Sequence, residues 1–271
     1  MGPKKIKLFR KEIWDFYKDN KRDFPWRNTQ DPYKILVSEM MLQQTQASRV
    51  LEKYSYFIKT FPNFKLLDRA PITEVLRVWS GLGYNRRAIA LKKIARLVMQ
   101  KYKGKLPATY KELITFPNIG DATTKSILAF AFNSAEPFIE TNIRRVFIYH
   151  FFNKKEQVDD VEIIKLVSAT LYVHNPRDWY FALMDYGSML AKREINPNRK
   201  SVHYTKQKPF KGSVREIRGK IIRLLLKQGP VCPDLIEHCL NLRKDLLLSI
   251  LQRMQFDGLI KIKGSNIYFP R

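Results

Sequence analysis

Phe116-Pro117-Asn118-Ile119-Gly120-Asp121 separates two stretches of helical spacing and leaves the chain very little length in which to reverse. So tight a hairpin needs residues that tolerate positive φ, and Asn118 and Gly120 both qualify. Its backbone amides come free at the start of the following helix, where they can bind a phosphate. A plain helix–helix turn would use the same residues, so this segment alone leaves both readings open.

Outward from the hairpin, helix follows helix from about residue 6 to residue 190. Runs such as 33–61, 72–79, 87–102, 122–132 and 161–172 carry apolar residues three and four positions apart. Phe61-Pro62-Asn63, Gly81-Leu82-Gly83, Gly104-Lys105-Leu106-Pro107 and Asn175-Pro176 punctuate them as turns. Asp31-Pro32 reads as an N-cap followed by proline at the first helical position. Alternating strand patterns are nearly absent from this part.

The composition shifts after Leu190. Between Leu190 and Lys220 stand ten Lys or Arg, Lys206 and Lys208 among them, against two acids. Residues 191–213 therefore read as a basic connector, either a strap that tracks a polyanion or a solvated face. Helical runs at 214–227, 233–240 and 242–256 follow. Two short strands, 259–263 and 267–269, then flank Gly264-Ser265-Asn266. Three helices and a hairpin form the pattern of a winged helix-turn-helix domain, in which Arg243, Lys244, Gln252 and Arg253 could face phosphates or bases. Such domains also serve as packing modules. The expected organisation is a helical domain at 1–190, the connector at 191–213 and a winged helix at 214–271.

Charge narrows the class of partner. Fifty Lys and Arg against 25 Asp and Glu give a net +25. That excess fits a polyanion, because phosphate neutralisation with counterion release is the main sequence-independent source of nucleic-acid affinity. The 13% aromatic content supplies groups that stack on bases. Cationic charge that merely keeps a protein in solution is the alternative. No apolar run approaches the ~20 residues of a membrane helix, and no hydrophobic core follows the basic N-terminus, so a cytoplasmic protein is expected. Cys232 and Cys239 are the only cysteines. They make neither a disulfide framework nor a four-thiolate cluster, and are expected to be ordinary buried thiols.

Two further segments carry titratable chemistry. In Ser38-Glu39-Met40-Met41-Leu42-Gln43-Gln44-Thr45-Gln46, residues Glu39, Gln43 and Gln46 fall on one face of a single helix. Partial desolvation by the methionines and Leu42 would raise the Glu39 pKa, as a general acid requires; a surface Glu on an amphipathic helix fits the spacing equally. Pro137-Phe138-Ile139-Glu140-Thr141-Asn142-Ile143-Arg144-Arg145-Val146 sets a carboxylate and an amide just before a helix that begins with two arginines. There Glu140 is either a reacting group or an N-terminal capping acid.

These segments, in this order, resemble the helix-hairpin-helix DNA glycosylase superfamily that includes endonuclease III. The sub-pattern is most like that of the A/G-type adenine mismatch glycosylases. Trp79-Ser80-Gly81-Leu82-Gly83-Tyr84-Asn85-Arg86-Arg87-Ala88 and Ala182-Leu183-Met184-Asp185-Tyr186-Gly187 share the likeness, which spans about residues 24–190. The resemblance implies an all-α, two-lobed glycosylase fold. It implies that Glu39 protonates the leaving adenine and positions water, that Glu140 stabilises the sugar cation, and that Asn142 orients groups around that acid. Gln44 and Tyr84 would enter the duplex at the flipped-out site. Arg86, Arg87, Asn118, Gly120, Asp121, Ala122, Arg144, Lys206 and Lys208 would contact DNA. Side chains supply no metal site, although the backbone of residues 116–120 could hold a monovalent cation.

The chain also departs from the family pattern. Glu140 stands where the family has Asp, Asn118 replaces the hairpin's first glycine, and Ala122 occupies the place of a lyase lysine or a mismatch-pocket tyrosine. The iron–sulfur cluster motif is missing, with the basic connector in its place, so no cofactor is expected. The carboxy-terminal domain that reads oxidised guanine is replaced by the winged helix. The expected protein is thus a monomeric, monofunctional DNA glycosylase that acts on duplex DNA and releases adenine opposite guanine or oxidised guanine. A mismatch glycosylase for another base (thymine or uracil opposite guanine, or a damaged purine) and a non-catalytic lesion-binding protein are the alternatives.

Overall fold

Caps and apolar spacing account for where the helices begin and what they bury. In the computed structural model, which describes residues 2–192, 196–207 and 209–270, Pro3–Asn20 (α1) opens on proline and buries Phe9, Ile13 and Tyr17 at four-residue intervals. Pro32–Leu42 (α2) starts where Asp31 Oδ1 accepts the Tyr33 amide at 2.9 Å, as Asp-Pro predicts. Ala47–Thr60 (α3), Phe64–Arg69 (α4), Ile72–Trp79 (α5) and Arg86–Lys101 (α6) follow. Next come Tyr110–Leu113 (α7), Asp121–Phe132 (α8), Thr141–Phe151 (α9), Asp160–Thr170 (α10) and Pro176–Leu190 (α11). The last part holds Val214–Gln228 (α12), Pro233–Leu240 (α13) and Lys244–Phe256 (α14). An antiparallel hairpin of Lys261–Lys263 (β1) and Asn266–Tyr268 (β2) pairs Ile262 with Ile267, and Val231 bridges Ile267 from the far side.

The structure corrects three expectations about these elements. The 33–61 run is two helices, because the chain breaks after Leu42 and Gln44 turns left-handed at φ 53°. Gln43 and Gln46 therefore both lie beyond Glu39's helix, and the expected polar stripe on one helix does not form. In the hairpin only Asn118 takes positive φ, 62°; Gly120 is the extended N-cap of α8 at φ −98°. Neither cysteine is buried: Cys232 is half-buried at the cap of α13 and Cys239 is exposed, since that short helix turns Ile236 inward.

The chain divides into two compact units, Met1–Ile35 with Pro107–Lys206 and Leu36–Leu106 with Gln207–Arg271. In the first, α1, α8, α9, α10 and α11 enclose a core rich in aromatics. Phe9 packs on Phe147 and Trp179, and Phe130 stacks on Phe181 with centroids 4.6 Å apart. In the second, α3, α5 and α6 bury Val50, Phe57, Trp79, Leu91 and Ile94, while the C-terminal helices bury Ile221, Leu225, Ile236, Leu247 and Met254. Among the described residues no helix is long and apolar enough to cross a membrane.

One polar cluster locks the first unit. Arg27 donates to both oxygens of buried Asp185 at 2.8 Å, and Arg22 adds its Nε at 2.5 Å and its amide at 3.0 Å. Replacing that carboxylate strands two guanidiniums, one of them almost fully enclosed. Asp185→Asn should cost about 3 kcal/mol, toward the low end for a broken buried pair because Arg22 keeps some solvent. A denaturation midpoint equal to wild type would dismiss the cluster as a stabilising element.

Candidate active site

Glu140 is itself the N-cap of α9, so the capping reading is literal. Its Oε1 accepts the amides of Asn142 and Ile143 at 2.8 and 2.9 Å, and Oε2 accepts Asn142 Nδ2 at 3.3 Å. The longer arm of Glu, compared with Asp, folds back onto the helix amides. Asn142 Oδ1 in turn accepts Arg145 Nη1 at 2.8 Å, while Arg145 also donates to Gly187 O at 2.7 Å and to Asn196 Oδ1 at 3.1 Å. Glu140, Asn142, Arg145 and Asn196 thus form one hydrogen-bonded line. Burial pushes the Glu140 carboxyl above the usual carboxylate range, opposed by the two amides, Arg145 and the Asn142 side chain. The carboxyl group is recessed among protein atoms even though the residue keeps some accessible surface.

Two elements support this line from behind. Gly187, inside α11, lies so near α9 that a Cβ there would stand 2.3 Å from Asn142 O and 2.8 Å from Asn142 Cβ. Asn198, 4% exposed, donates to Thr141 O at 2.9 Å. Val158 and Ser201 form a parallel bridge, with Val158 N on Lys200 O at 2.8 Å. Residues 196–201 are therefore packed structure, which corrects the reading of the whole connector as a strap or solvated face. Lys206 beyond them is exposed, and Lys208 lies outside the described residues.

The donors in this region are Asn196 and Asn198 amides, and both cysteines belong to the C-terminal part of the chain. A four-thiolate cluster does not fit that donor set. Among the described residues, no group of three or more His, Cys, Asp or Glu could hold a metal ion.

Glu39 lies in the second unit, half-buried on α2 between buried Ser38 and Met40. The loops around it are organised by Arg87. Its Nη1 donates to the carbonyls of Met40, Met41 and Gln43 at 3.0, 2.8 and 2.5 Å; its Nη2 reaches Thr45 Oγ1, Leu82 O and Gly83 O at 3.0, 3.2 and 3.1 Å. Arg87 is 2% exposed, and burial lowers its pKa to about 10. This corrects its expected role: so enclosed a guanidinium, bonded to carbonyls and a hydroxyl, is a brace between two loops rather than a phosphate contact. Those loops carry Gln44 and Tyr84, both non-glycine residues at positive φ, 53° and 45°. Left-handed backbone at a bulky residue is strained and persists where the surroundings enforce it, which is a mark of functional positions.

The other expected contacts divide by exposure. Arg86 is exposed at the start of α6, and Asn118, Gly120 and Asp121 are exposed at the hairpin, with Ala122 half-buried. Asp121 accepts Tyr110 Oη at 2.9 Å and pairs with Lys125 at 2.9 Å, so Lys125 is drawn toward that acid. Arg144 is engaged within the chain, since Asp160 accepts its Nε and Nη2 at 2.7 and 2.6 Å. Sequence reasoning gave no role to Arg145, Gly187, Asn196 or Asn198. The signal for Gly187 was present: a glycine within a helix costs about 1 kcal/mol against Ala and marks a close approach.

A recessed carboxylate fixed by amides can stabilise positive charge, and a half-desolvated acid can deliver a proton. The chain as a whole is similar to known proteins. Residues 37–167 match the family described as HhH-GPD superfamily base excision DNA repair protein. An adenine DNA glycosylase of Buchnera aphidicola subsp. Baizongia pistaciae is 35% identical over 192 residues, 70% of this chain and 54% of that protein. A thymine/uracil-DNA glycosylase of Methanothermobacter thermautotrophicus is 30% identical over 191 residues, 69% of this chain and 86% of that protein. The solved structure of a thermostable thymine-DNA glycosylase superposes with a TM-score of 0.65 at 28% identity, covering 73% of this chain and 92% of that one. The chain spans about half the length of the adenine glycosylases it matches. On these matches, the chain belongs to the HhH-GPD superfamily of base excision DNA repair proteins.

Proposed function

We propose that the protein is a monofunctional DNA glycosylase that flips adenine, mispaired with guanine or oxidised guanine, out of duplex DNA and hydrolyses its N-glycosidic bond. The observation that carries this reading is Glu140, a recessed carboxylate held by two backbone amides and the Asn142–Arg145 relay. As the C1′–N bond breaks, the sugar gains oxocarbenium character, and a fixed carboxylate lowers that barrier electrostatically. Glu39 gives its proton to the departing base, whose nitrogen keeps the bonding electron pair; water then adds at C1′ and gives a proton back to the Glu39 carboxylate. Gln44 and Tyr84 fill the space the base leaves; extruding the base costs a few kcal/mol, and least at a mispair. Ala122 in place of a lysine removes the amine that would open the strand. We also take residues 214–271 as a winged helix on a monomeric, DNA-associated protein.

A second reading is favoured by one observation: the thymine/uracil glycosylase relative is matched over most of its length. End-labelled duplexes carrying each mismatch, treated with hot alkali after incubation, decide between them. Scission only after alkali, at adenine opposite guanine or oxidised guanine, is expected. Cutting at thymine or uracil opposite guanine moves the assignment to the second reading. Scission without alkali removes the monofunctional assignment, and no cut on any duplex makes the protein a lesion binder.

The hairpin yields a separate prediction. A Cβ at Gly120 would meet nothing within 4 Å, and its φ is open to any residue, so nothing inside the chain demands glycine there. An approaching phosphate does demand it, because its oxygens must reach the amides at the start of α8. Gly120→Ala should melt with wild type yet bind duplex about tenfold more weakly. Unchanged affinity would strip the hairpin of its phosphate role.

A further inference from the structure

The C-terminal segment reaches Tyr84, which the proposed function treats as an insertion residue. Arg215, in the first turn of α12, donates Nη1 to Tyr84 Oη at 2.6 Å, and Gln207 Nε2 donates to the same oxygen. A phenolic oxygen has two lone pairs, so it can accept both and still keep its own proton. The Arg215 guanidinium lies 5.5 Å from the Tyr84 ring centroid and that of Arg87 lies 5.3 Å from it. The ring's backbone is strained at φ 45°, and the loop that carries it is braced by Arg87 at Leu82 O and Gly83 O. One residue thus has its backbone fixed by α6 and its tip fixed by the C-terminal part of the chain. All of these groups belong to the second unit.

We infer that Arg215, assisted by Gln207, is a positioning residue for duplex insertion by Tyr84, so that the C-terminal part of this chain takes part in opening the base pair. The inference rests on the glycosylase reading for its catalytic consequence, but not for its geometry. A tyrosine free to sample its rotamers must be ordered each time it enters a duplex, and that ordering weakens binding. Two donors on its oxygen order it in advance. A hydrogen bond from a charged donor to a neutral acceptor, in a half-buried setting, is strong enough for its loss to be felt about tenfold.

The test is a double-mutant cycle. Arg215→Met keeps the aliphatic stem and removes the donors; Tyr84→Phe removes the acceptor and keeps the ring. Both are compared with wild type, the double variant and Arg215→Lys on a duplex carrying 2-aminopurine beside an adenine–guanine mismatch. The rise in 2-aminopurine fluorescence on binding reports unstacking whether or not any base is released. Expected is about a tenfold loss of apparent affinity for the bright complex with Arg215→Met, a similar loss with Tyr84→Phe, and little further loss in the double variant. Arg215→Lys should recover part of the effect. Thermal melting of each variant identifies any that fail to fold, and Arg215→Lys carries the test if Arg215→Met does. Additive losses, with the slope of log affinity against log salt falling by about one, would make Arg215 a phosphate contact only and overturn the inference. Full fluorescence and affinity in Arg215→Met would overturn it too. Absence of base release by wild type, with the fluorescence pattern intact, would sink the glycosylase reading and leave the Tyr84 clamp standing.

Discussion

Glu140→Gln will fold, bind duplex DNA nearly as wild type does, and lose about three orders of magnitude in single-turnover base release. The substitution keeps shape and leaves one oxygen to accept the Asn142 and Ile143 amides, the bonds of 2.8 and 2.9 Å that cap α9. It removes the charge that would stabilise the sugar cation, together with the oxygen that accepts Asn142 Nδ2 at 3.3 Å, and electrostatic stabilisation of that kind is commonly worth about 10²–10³ in rate. Stability should change little, and the sign follows from the pKa direction. Burial raises the Glu140 carboxyl in the folded chain. Its stabilising contribution is therefore fully present below the unfolded pKa, about 4.3, and is lost as pH rises through the higher folded value. At neutral pH the ionised group costs stability that Gln does not, and the weaker cap of a neutral amide offsets that relief. The same direction sets the activity profile. If base release needs the ionised form, its acid limb in wild type lies above the ordinary carboxylate range. Glu140→Asp, which keeps charge but draws the carboxyl back, should hold activity between the two, since ~1 Å of misplacement can cost about 100-fold. Wild-type turnover by Glu140→Gln would remove this carboxylate from the mechanism.

What the sequence shows of this site and what it hides follow from how each contact is made. The helix start at Asp31-Pro32 was legible because a cap is a local event, and the same chemistry at Asn175-Pro176, read only as a turn, opens α11. Asp31 Oδ1 and Asn175 Oδ1 each accept an amide within three residues. The hairpin and the two acid-bearing segments were legible as compact strings. The break after Leu42 was not, because Met40 through Gln46 hold helical spacing and the turn at Gln44 is enforced by Arg87, more than forty positions along the chain. For the same reason Arg87 and Arg144 read as cations for DNA: only the fold shows the carbonyls around the first and Asp160 across from the second. Gly120 was expected to need its freedom for φ, yet that turn uses Asn118, and only an external group approaching α8 would need the glycine.

Gly187→Ala will be the most damaging substitution that removes no functional group. α11 approaches the first turn of α9 so closely that the added methyl carbon would overlap Asn142 O at 2.3 Å and Asn142 C and Cβ at 2.8 Å. Two of these three atoms are backbone or carry it, so no side-chain rotation relieves the clash. Either α11 moves, which disturbs a core holding Trp179, Tyr180 and Leu183 at zero exposure, or the start of α9 moves. Overpacking of this sort costs typically about 1–3 kcal/mol, although Ala in a helix returns up to about 1 kcal/mol relative to Gly. The loss of function should exceed the loss of stability. Gly187 O also accepts Arg145 Nη1 at 2.7 Å, and that nitrogen holds Asn142 Oδ1, so a shift of this contact passes directly to the cap at Glu140. A displacement of ~1 Å there predicts about a 100-fold fall in base release, with duplex affinity changed far less, because the hairpin at Asn118–Gly120 is a separate element. The decisive comparison is Gly187→Ala against Asp185→Asn, which loosens the same helix one turn-fraction away without touching Asn142. If both variants lose activity only in proportion to their lost stability, the close approach of α11 is packing alone; if Gly187→Ala loses far more, that approach is what sets the carboxylate in place.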